Sequence, residues 1–293
     1  MRANYRIFAL GFFDGVHLGH QALLSTCVQL ANQLDVSAAA ITFDRHPQSL
    51  FLSKPPALIN CNTDRDALLS RYGIQYIHHL AVTKNVMSTH WQVFLDELLQ
   101  MGAVGFVCGD DFRFGRKGEG NAEKLQRFCL ERDLPCVIIP EQALEGVRIS
   151  STHIRGLIEA GDMETAAKFL GHPHILSGEV VSGRQLGRTI GVPTANILIP
   201  DEVVVPKLGV YATECLVDGI RYKAVTNIGS RPTVGGHQVR AESWILDFDG
   251  DLYGKHMTVL FHKFLRPERK FASLEELKAQ IQKDAERTKQ LLP

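Results

Sequence analysis

The chain has 293 residues, 45 % of them hydrophobic and 22 % charged, the balance of a globular protein with about two domains. Its 32 basic and 32 acidic residues cancel, so no net field recruits nucleic acid or an anionic membrane, and any polyanion contact is confined to a local basic pocket. The N-terminal segment MRANYRIFALGFFDGVH has one short apolar run, broken by Gly11 and Asp14, too short for the core of a signal peptide or for a bilayer span. Six cysteines, at 27, 61, 108, 129, 136 and 215, form no C-x-x-C pair. Cys27, Cys129 and Cys136 sit among apolar neighbours and read as small core residues of a reducing compartment, not as zinc ligands or a disulfide framework. These features predict a soluble, cytoplasmic protein.

Residues 5–10, 37–43, 74–80, 103–108 and 136–139 are short apolar runs and read as strands buried on both faces. Helical patterns over 18–34, 64–72, 90–101 and 121–133 alternate with them, Thr63 and Asp66 forming a capping arrangement and Gly73 a stop. Repeated β-α order predicts a parallel sheet with helices on both faces and ligands at the carboxyl ends of the strands. A short helix over 162–170, capped by Asp162, ends this pattern, and His172, Pro173 and His174 break it. From Ser177 onward Val, Ile, Thr, Gly and Pro dominate. Residues 209–217 and 220–228 read as a hairpin about Asp218-Gly219, because Asp-Gly supplies the positive φ angles of a tight turn. Residues 241–248 and 255–263 read as a second hairpin about 249–251. The end, from Ser273, reads as an amphipathic helix opened by Ser273 and Glu276 in capping-box spacing. The second half is therefore expected to be a small β-barrel or sandwich closed by a terminal helix, with the boundary near 171–176.

The first candidate site follows the first strand. In Gly11-Phe12-Phe13-Asp14-Gly15-Val16-His17-Leu18-Gly19-His20 the glycines permit a sharp turn and close approach of backbone to ligand. His17 and His20, three apart, share a face of the first helical turn, and Gly19 leaves that turn uncovered. Two imidazoles and free N–H groups at a helix start suit a triphosphate. Nucleotidyl transfer needs charge stabilisation as pyrophosphate leaves and in-line positioning of the attacking oxygen. An isolated H-x-x-H pair would merely cap and pack, and a zinc site would call for spacing of four and a further ligand. Downstream, Arg148-Ile149-Ser150-Ser151-Thr152-His153-Ile154-Arg155 offers hydroxyls, amides and Arg155 as a second phosphate clamp. Between them, Gly109-Asp110-Asp111-Phe112-Arg113-Phe114-Gly115 places aromatics and charges at the ligand edge of the sheet.

The second candidate site is Ser182-Gly183-Arg184-Gln185-Leu186-Gly187-Arg188-Thr189-Ile190-Gly191-Val192-Pro193-Thr194-Ala195-Asn196-Ile197. It lacks the G-K-[ST] of a P-loop, yet Gly183, Gly187 and Gly191 permit a phosphate-wrapping loop to which Arg184 and Arg188 add charge. Thr194 and Asn196 offer hard oxygens suited to Mg²⁺. Glu242 alternates with Trp244 and Leu246 on an apolar strand face. A carboxylate there lies either beside a ligand at the strand mouth or at a solvated edge. As a general base it would orient a substrate hydroxyl and take its proton late.

Taken together, GFFDGVHLGH, TFDRHP, GDDFRFG, ISSTHIR, GRQLGRTIGVPTANI, GVYAT, VTNIGSRPTV, ESWILDFDGDLYG and FLRPERKF, in this order over nearly the whole chain, resemble the bacterial bifunctional riboflavin kinase/FAD synthetase family. The resemblance implies an FMN adenylyltransferase domain of Rossmann-like nucleotidyltransferase fold over 1–172 and a riboflavin kinase β-barrel over 173–293. It implies that riboflavin and ATP give FMN, and that FMN and ATP give FAD and pyrophosphate. By motif, Gly11, Phe12, Asp14, His17, His20, Ser151, Thr152 and Arg155 would bind ATP in the first domain, His17, His20 and Arg155 also serving catalysis. Asp111 and Phe112 would lie along the flavin, with 42–47 nearby. In the second domain Gly183, Gly187, Gly191, Thr194 and Asn196 would bind ATP, Thr194 and Asn196 with Mg²⁺, and Glu242 would be the base. Where the family often has G-F-P-T-A-N this chain has Val192, a change expected to alter packing and remove no chemical group. An adenylyltransferase for another substrate, a nucleic-acid-binding barrel and a non-catalytic flavin carrier are the competing classes. Balanced charge and the lack of a basic, aromatic-lined stripe oppose the second.

Overall fold

The computed structural model describes residues 4–182, 191–233 and 236–292. Its contacts sort into two compact units, Met1–Leu58 with Asn62–Ser151, and Ile59–Cys61 with Thr152–Pro293.

The first unit is built on β1 (Arg6–Leu10), β2 (Ser37–Phe43), β3 (Tyr76–Leu80), β4 (Ala103–Gly109) and β5 (Cys136–Ile139). They form one parallel sheet in the order β3-β2-β1-β4-β5. The helices α1 (Leu18–Gln33), α2 (Asn62–Arg71), α3 (Lys84–Met87), α4 (Trp91–Gln100) and α5 (Ala122–Leu130) connect them. Strand alternation sends Phe8, Leu10, Ala39 and Ile41 into a core with Leu95, Leu98, Leu125 and Phe128 of α4 and α5. Leu23, Leu24, Cys27 and Ala31 bury the inner face of α1. Both faces of the central strands are thus covered, which explains their nearly continuous apolar sequence. The edge strands β3 and β5 are only partly buried. A two-strand hairpin, β6 (Ala143–Leu144) and β7 (Val147–Arg148), was not expected. With two residues per strand it carries no periodic signal.

The second unit begins with α6 (Ser151–Ala160) and α7 (Met163–Leu170) and continues through β8 (His174–Glu179), β9 (Ala195–Leu198), β10 (Gly209–Val217), β11 (Ile220–Thr233), β12 (Gly236–Ile245) and β13 (His256–Arg266). It ends in α8 (Leu274–Leu291). The six strands form one antiparallel sheet in the order β8-β13-β10-β11-β12-β9. Just beyond β8, Val181 N–H donates to the Asn196 carbonyl at 2.9 Å, which brings the two outer strands together and closes a barrel. Gly178 makes that approach possible, since a Cβ there would stand 2.5 Å from Ile197 Cγ2.

Asp218 (φ 49°) and Gly219 (φ 81°) form the expected turn between β10 and β11. The second expected hairpin does not form. β12 pairs with β11 and β9, while β13 pairs with β10 and β8. The chain between β12 and β13 crosses the barrel end instead of folding back. Alternation had identified both strands, but their partners are chosen by barrel closure. All six cysteines are free thiols, four of them buried.

Candidate active sites

In the first unit β1 delivers the chain to the carboxyl edge of the sheet, and the next residues turn it into α1. Phe13 (φ 57°), Gly15 (φ 79°) and Val16 (φ 41°) all take left-handed backbone there. Glycine does so freely; for Phe13 and the β-branched Val16 the conformation costs on the order of 1–3 kcal/mol each and persists only because surrounding contacts hold it. One such contact is the Ser151 hydroxyl, which donates to the Asp14 carbonyl at 3.0 Å. His17 is the N-cap of α1, its Nδ1 accepting from His20 N–H at 3.3 Å. The two rings stack with centroids 3.6 Å apart and planes 11° from parallel. A Cβ on Gly19 would lie 3.4 Å from the His17 ring, an ordinary contact, so the ring stack does not itself require glycine there. His20 Nδ1 is buried without a hydrogen-bond partner among the described residues. Burial, with His17 and Arg65 nearby, holds the His20 imidazole well below the ordinary histidine range, and so neutral at pH 7.

A cavity of about 240 Å³ opens at this turn, walled by Gly11, Phe12, His17, His20, Asp111 and Ser151 among others. Asp14 is buried, 2 % exposed, and is not among the residues that wall this cavity. Arg148 lies in the wall, ion-paired to Glu141 and, at 2.9 Å, to Asp111. A second, larger cavity of about 680 Å³ is walled by Ile41, Phe43, Phe51, Leu80, Phe112 and Phe114 among others. Phe112 borders both, and its ring stacks on Phe114 with centroids 5.8 Å apart. Phe51 was missed in the sequence, although Leu50-Phe51-Leu52 is a conspicuous apolar run in a loop.

Arg65 was also missed. It is 0 % exposed and donates to the carbonyls of Phe12 and Phe43 and to Asn62 Oδ1. Thr42 Oγ1 donates to the same Phe12 carbonyl at 2.9 Å. One buried guanidinium thus ties the turn after β1 to the segment after β2, bringing 42–47 beside the first site. Nothing in an isolated helical arginine announces that role. Thr152 and Arg155 belong to α6 and the second unit, where Arg155 Nη2 donates to Thr152 Oγ1 at 3.0 Å.

In the second unit Gly183 and Gly187 lie outside the described residues. Gly191 takes φ 76°, and Val192 is buried, so the smaller residue is absorbed in packing. Thr194 leads into β9, where Asn196 is buried and its Oδ1 has no hydrogen-bond partner among the described residues. Asn196 pairs in register with Glu242 on β12, and directly paired residues share a face of the sheet. Trp244 and Leu246 pack against a cluster that includes Ala285 of α8, so Glu242 shares the predicted apolar face. The next residue, Ser243, points the other way, into a buried hydroxyl chain with Thr226 (2.8 Å) and Thr213 (2.7 Å). A cavity of about 300 Å³ opens on that side, walled by Thr194, Ala195, Ser243, Ile245 and residues 248–253.

Among the described residues no group of three His, Cys, Asp or Glu could hold a metal alone. The available donors are instead single hard oxygens, above all the orphaned Asn196 Oδ1, which suits Mg²⁺ whose remaining positions are filled by phosphate and water.

Comparison with known proteins matches two family models, FAD synthetase over residues 2–153 and riboflavin kinase over residues 170–292. The bifunctional riboflavin kinase/FMN adenylyltransferase of Listeria monocytogenes is 35 % identical over 288 residues, covering 97 % of this chain and 91 % of the relative. The Escherichia coli K12 protein of the same name is 38 % identical, covering 95 % and 90 %. A crystal structure of a Streptococcus pneumoniae protein named for macrolide efflux is similar with a TM-score of 0.87 at 31 % identity, covering 99 % of this chain and 95 % of its own. Among the described residues here, no helix is long and apolar enough to cross a membrane. A parallel α/β unit with a histidine-lined cavity precedes an antiparallel barrel with a glutamate–asparagine pair, each over the residues its family model matches. The chain belongs to the bifunctional riboflavin kinase/FMN adenylyltransferase family, with an N-terminal FAD synthetase domain and a C-terminal riboflavin kinase domain.

Proposed function

We propose that the two activities use separate residues, adenylyl transfer within 1–172 and phosphoryl transfer within 173–293, in a cytoplasmic setting with which six free thiols agree. In the second domain Glu242 is the general base. The ribityl 5′-oxygen of riboflavin attacks the γ-phosphorus of ATP, the bond to the β-phosphate oxygen breaks, and the proton passes to Glu242 late in the step. Thr194 and Asn196 serve Mg²⁺-ATP, with Gly183, Gly187 and Gly191 wrapping the phosphates. When bound, Mg²⁺ neutralises charge on the β- and γ-phosphate oxygens. The observation that carries this reading is the pairing of Glu242 with Asn196, whose buried Oδ1 has no hydrogen-bond partner among the described residues.

In the first domain His17 and His20 hold the ATP phosphates at the start of α1, with Ser151, Thr152 and Arg155 as the second clamp. Gly11, Phe12 and Asp14 shape the turn. A phosphate oxygen of FMN attacks the α-phosphorus and pyrophosphate leaves, so the protein's part is positioning and charge stabilisation. Asp111 and Phe112 lie along the flavin. The apolar cavity of about 680 Å³ shares Phe112 with the histidine-lined one, and its aromatic walls suit a flat apolar ring.

Separate sites make a crossed prediction. With riboflavin, Mg²⁺ and ATP, Glu242→Ala should lower FMN formation by about 10²-fold or more while FAD formation from supplied FMN survives. His17→Ala should do the reverse. Loss of both products from either substitution would contradict the assignment.

A further inference from the structure

Strand register places more than the two proposed kinase groups in one row. Asn196 of β9 pairs with Glu242 of β12, Glu242 with Asn227 of β11, Asn227 with Val210 of β10, and Val210 with Arg266 of β13. Paired residues project to one face with Cβ atoms about 4.5–5.5 Å apart. The proposed base therefore stands between two asparagines. Two residues beyond Arg266, Glu268 reaches back over the sheet, and its Oε1 accepts from Asn227 Nδ2 at 3.0 Å.

Gly229 gives that contact its space. It follows Asn227 on the same face of β11, and a Cβ there would lie 2.9 Å from Glu268 Oε1 and 3.0 Å from Asn227 Nδ2. Gly229 is not among the residues with positive φ, so the backbone does not require glycine at this position. What glycine provides here is room for the Asn227–Glu268 pair, whose side-chain ends a Cβ would push aside. A carboxylate acceptor also selects one of the two flips of the Asn227 amide, since only the nitrogen end can donate. The amide nitrogen has two hydrogens, and Glu268 engages one.

We propose that Asn227, oriented by Glu268, is a positioning residue for the kinase reaction, its second N–H holding the Glu242 carboxylate toward the substrate hydroxyl. The inference rests on the reading of Glu242 as the base. A neutral donor to a carboxylate makes a charge-assisted bond, and such bonds tighten in the complex with substrate. The effect belongs to the chemical step and so to kcat, not to substrate affinity.

The test is steady-state riboflavin phosphorylation by the full chain. Asn227→Ala and Glu268→Ala should each lower kcat about tenfold, with the KM for riboflavin and for ATP within about twofold of the parent. Glu268→Gln keeps an acceptor for Asn227 and should restore the parent kcat. Gly229→Ala keeps both side chains but displaces them, and should reproduce the kcat loss. Unchanged KM values report a formed site, so a misfolded Asn227→Ala protein leaves Glu268→Ala and Gly229→Ala to carry the test. Parent-like kcat in these variants, a loss confined to KM, or a Glu268→Gln protein as slow as Glu268→Ala would overturn the proposal. Glu242→Gln, assayed alongside, separates the two readings. If it stays active, the base assignment fails and this inference with it; if it is inactive while Asn227→Ala is not, only the inference fails.

Discussion

Two histidines in this protein are held neutral for different ends. His20 faces a cavity beside the start of a helix, and its unpartnered Nδ1 and suppressed charge are features an incoming triphosphate would reverse. His174 opens β8 at 0 % exposure, against the Phe261 ring, with neither ring nitrogen hydrogen-bonded among the described residues. Burial, with His172 adding to it, brings its pKa down to about 3. In the unfolded chain the ordinary value of about 6.5 returns, so between these values the unfolded state binds a proton that the folded state refuses. Stability from this group is complete above about pH 6.5 and falls as pH drops, by roughly 2 kcal/mol at pH 5. Replacing His174 with Phe should remove that part of the slope, measured as the difference in urea unfolding free energy between pH 7.5 and pH 5. Equal differences in parent and variant would refute the burial argument. The sequence marked His17 and His20 because they follow a strand inside a glycine-framed turn. It showed His172-Pro173-His174 only as a break, since burial depends on β13 some eighty residues away.

Elements were readable where local chemistry dictates them. Asp162 accepts from Thr165 N–H at 3.1 Å, Asn121 from Lys124 N–H at 2.9 Å and Ser273 from Glu276 N–H at 3.2 Å, each capping a helix. Only the first and last were anticipated as caps. The Asp218-Gly219 hairpin formed because its turn carries its own conformational signal. β12 and β13 were found but mispaired, because a turn signal such as Asp249-Gly250-Asp251 looks the same whether the chain closes a hairpin or crosses a barrel. The seating of α8 was likewise invisible. Arg266 of β13 donates through Nε and Nη2 to Asp284 of α8, and Gln280 donates to the same carboxylate. Their side chains are only 18 % and 6 % exposed, so removing one partner strands a buried charge. Asp284→Ala should destabilise the second unit by about 3 kcal/mol, read by chemical unfolding of the full chain followed by circular dichroism. A loss under about 0.5 kcal/mol, typical of a surface pair, would show that the contact does not anchor the helix.

At the scale of the whole molecule, the change from β-α alternation to β-rich sequence foretold two differently built halves. The motifs proposed to hold phosphate stood out because glycines, hydroxyls and histidines cluster within single loops. Groups recruited from elsewhere were not: Arg65 reaches the first site from α2, and the face bearing Glu242 takes Asn227 and Glu268 from two further segments. Two independent ATP-dependent reactions require each domain to grip its own nucleotide. Equilibrium titration of the full chain with labelled ATP and Mg²⁺, without flavin, counts those grips directly. It should give two ATP per chain, one after His20→Ala and one after Asn196→Ala. A single site in the parent protein, or the loss of both from either substitution, would contradict it.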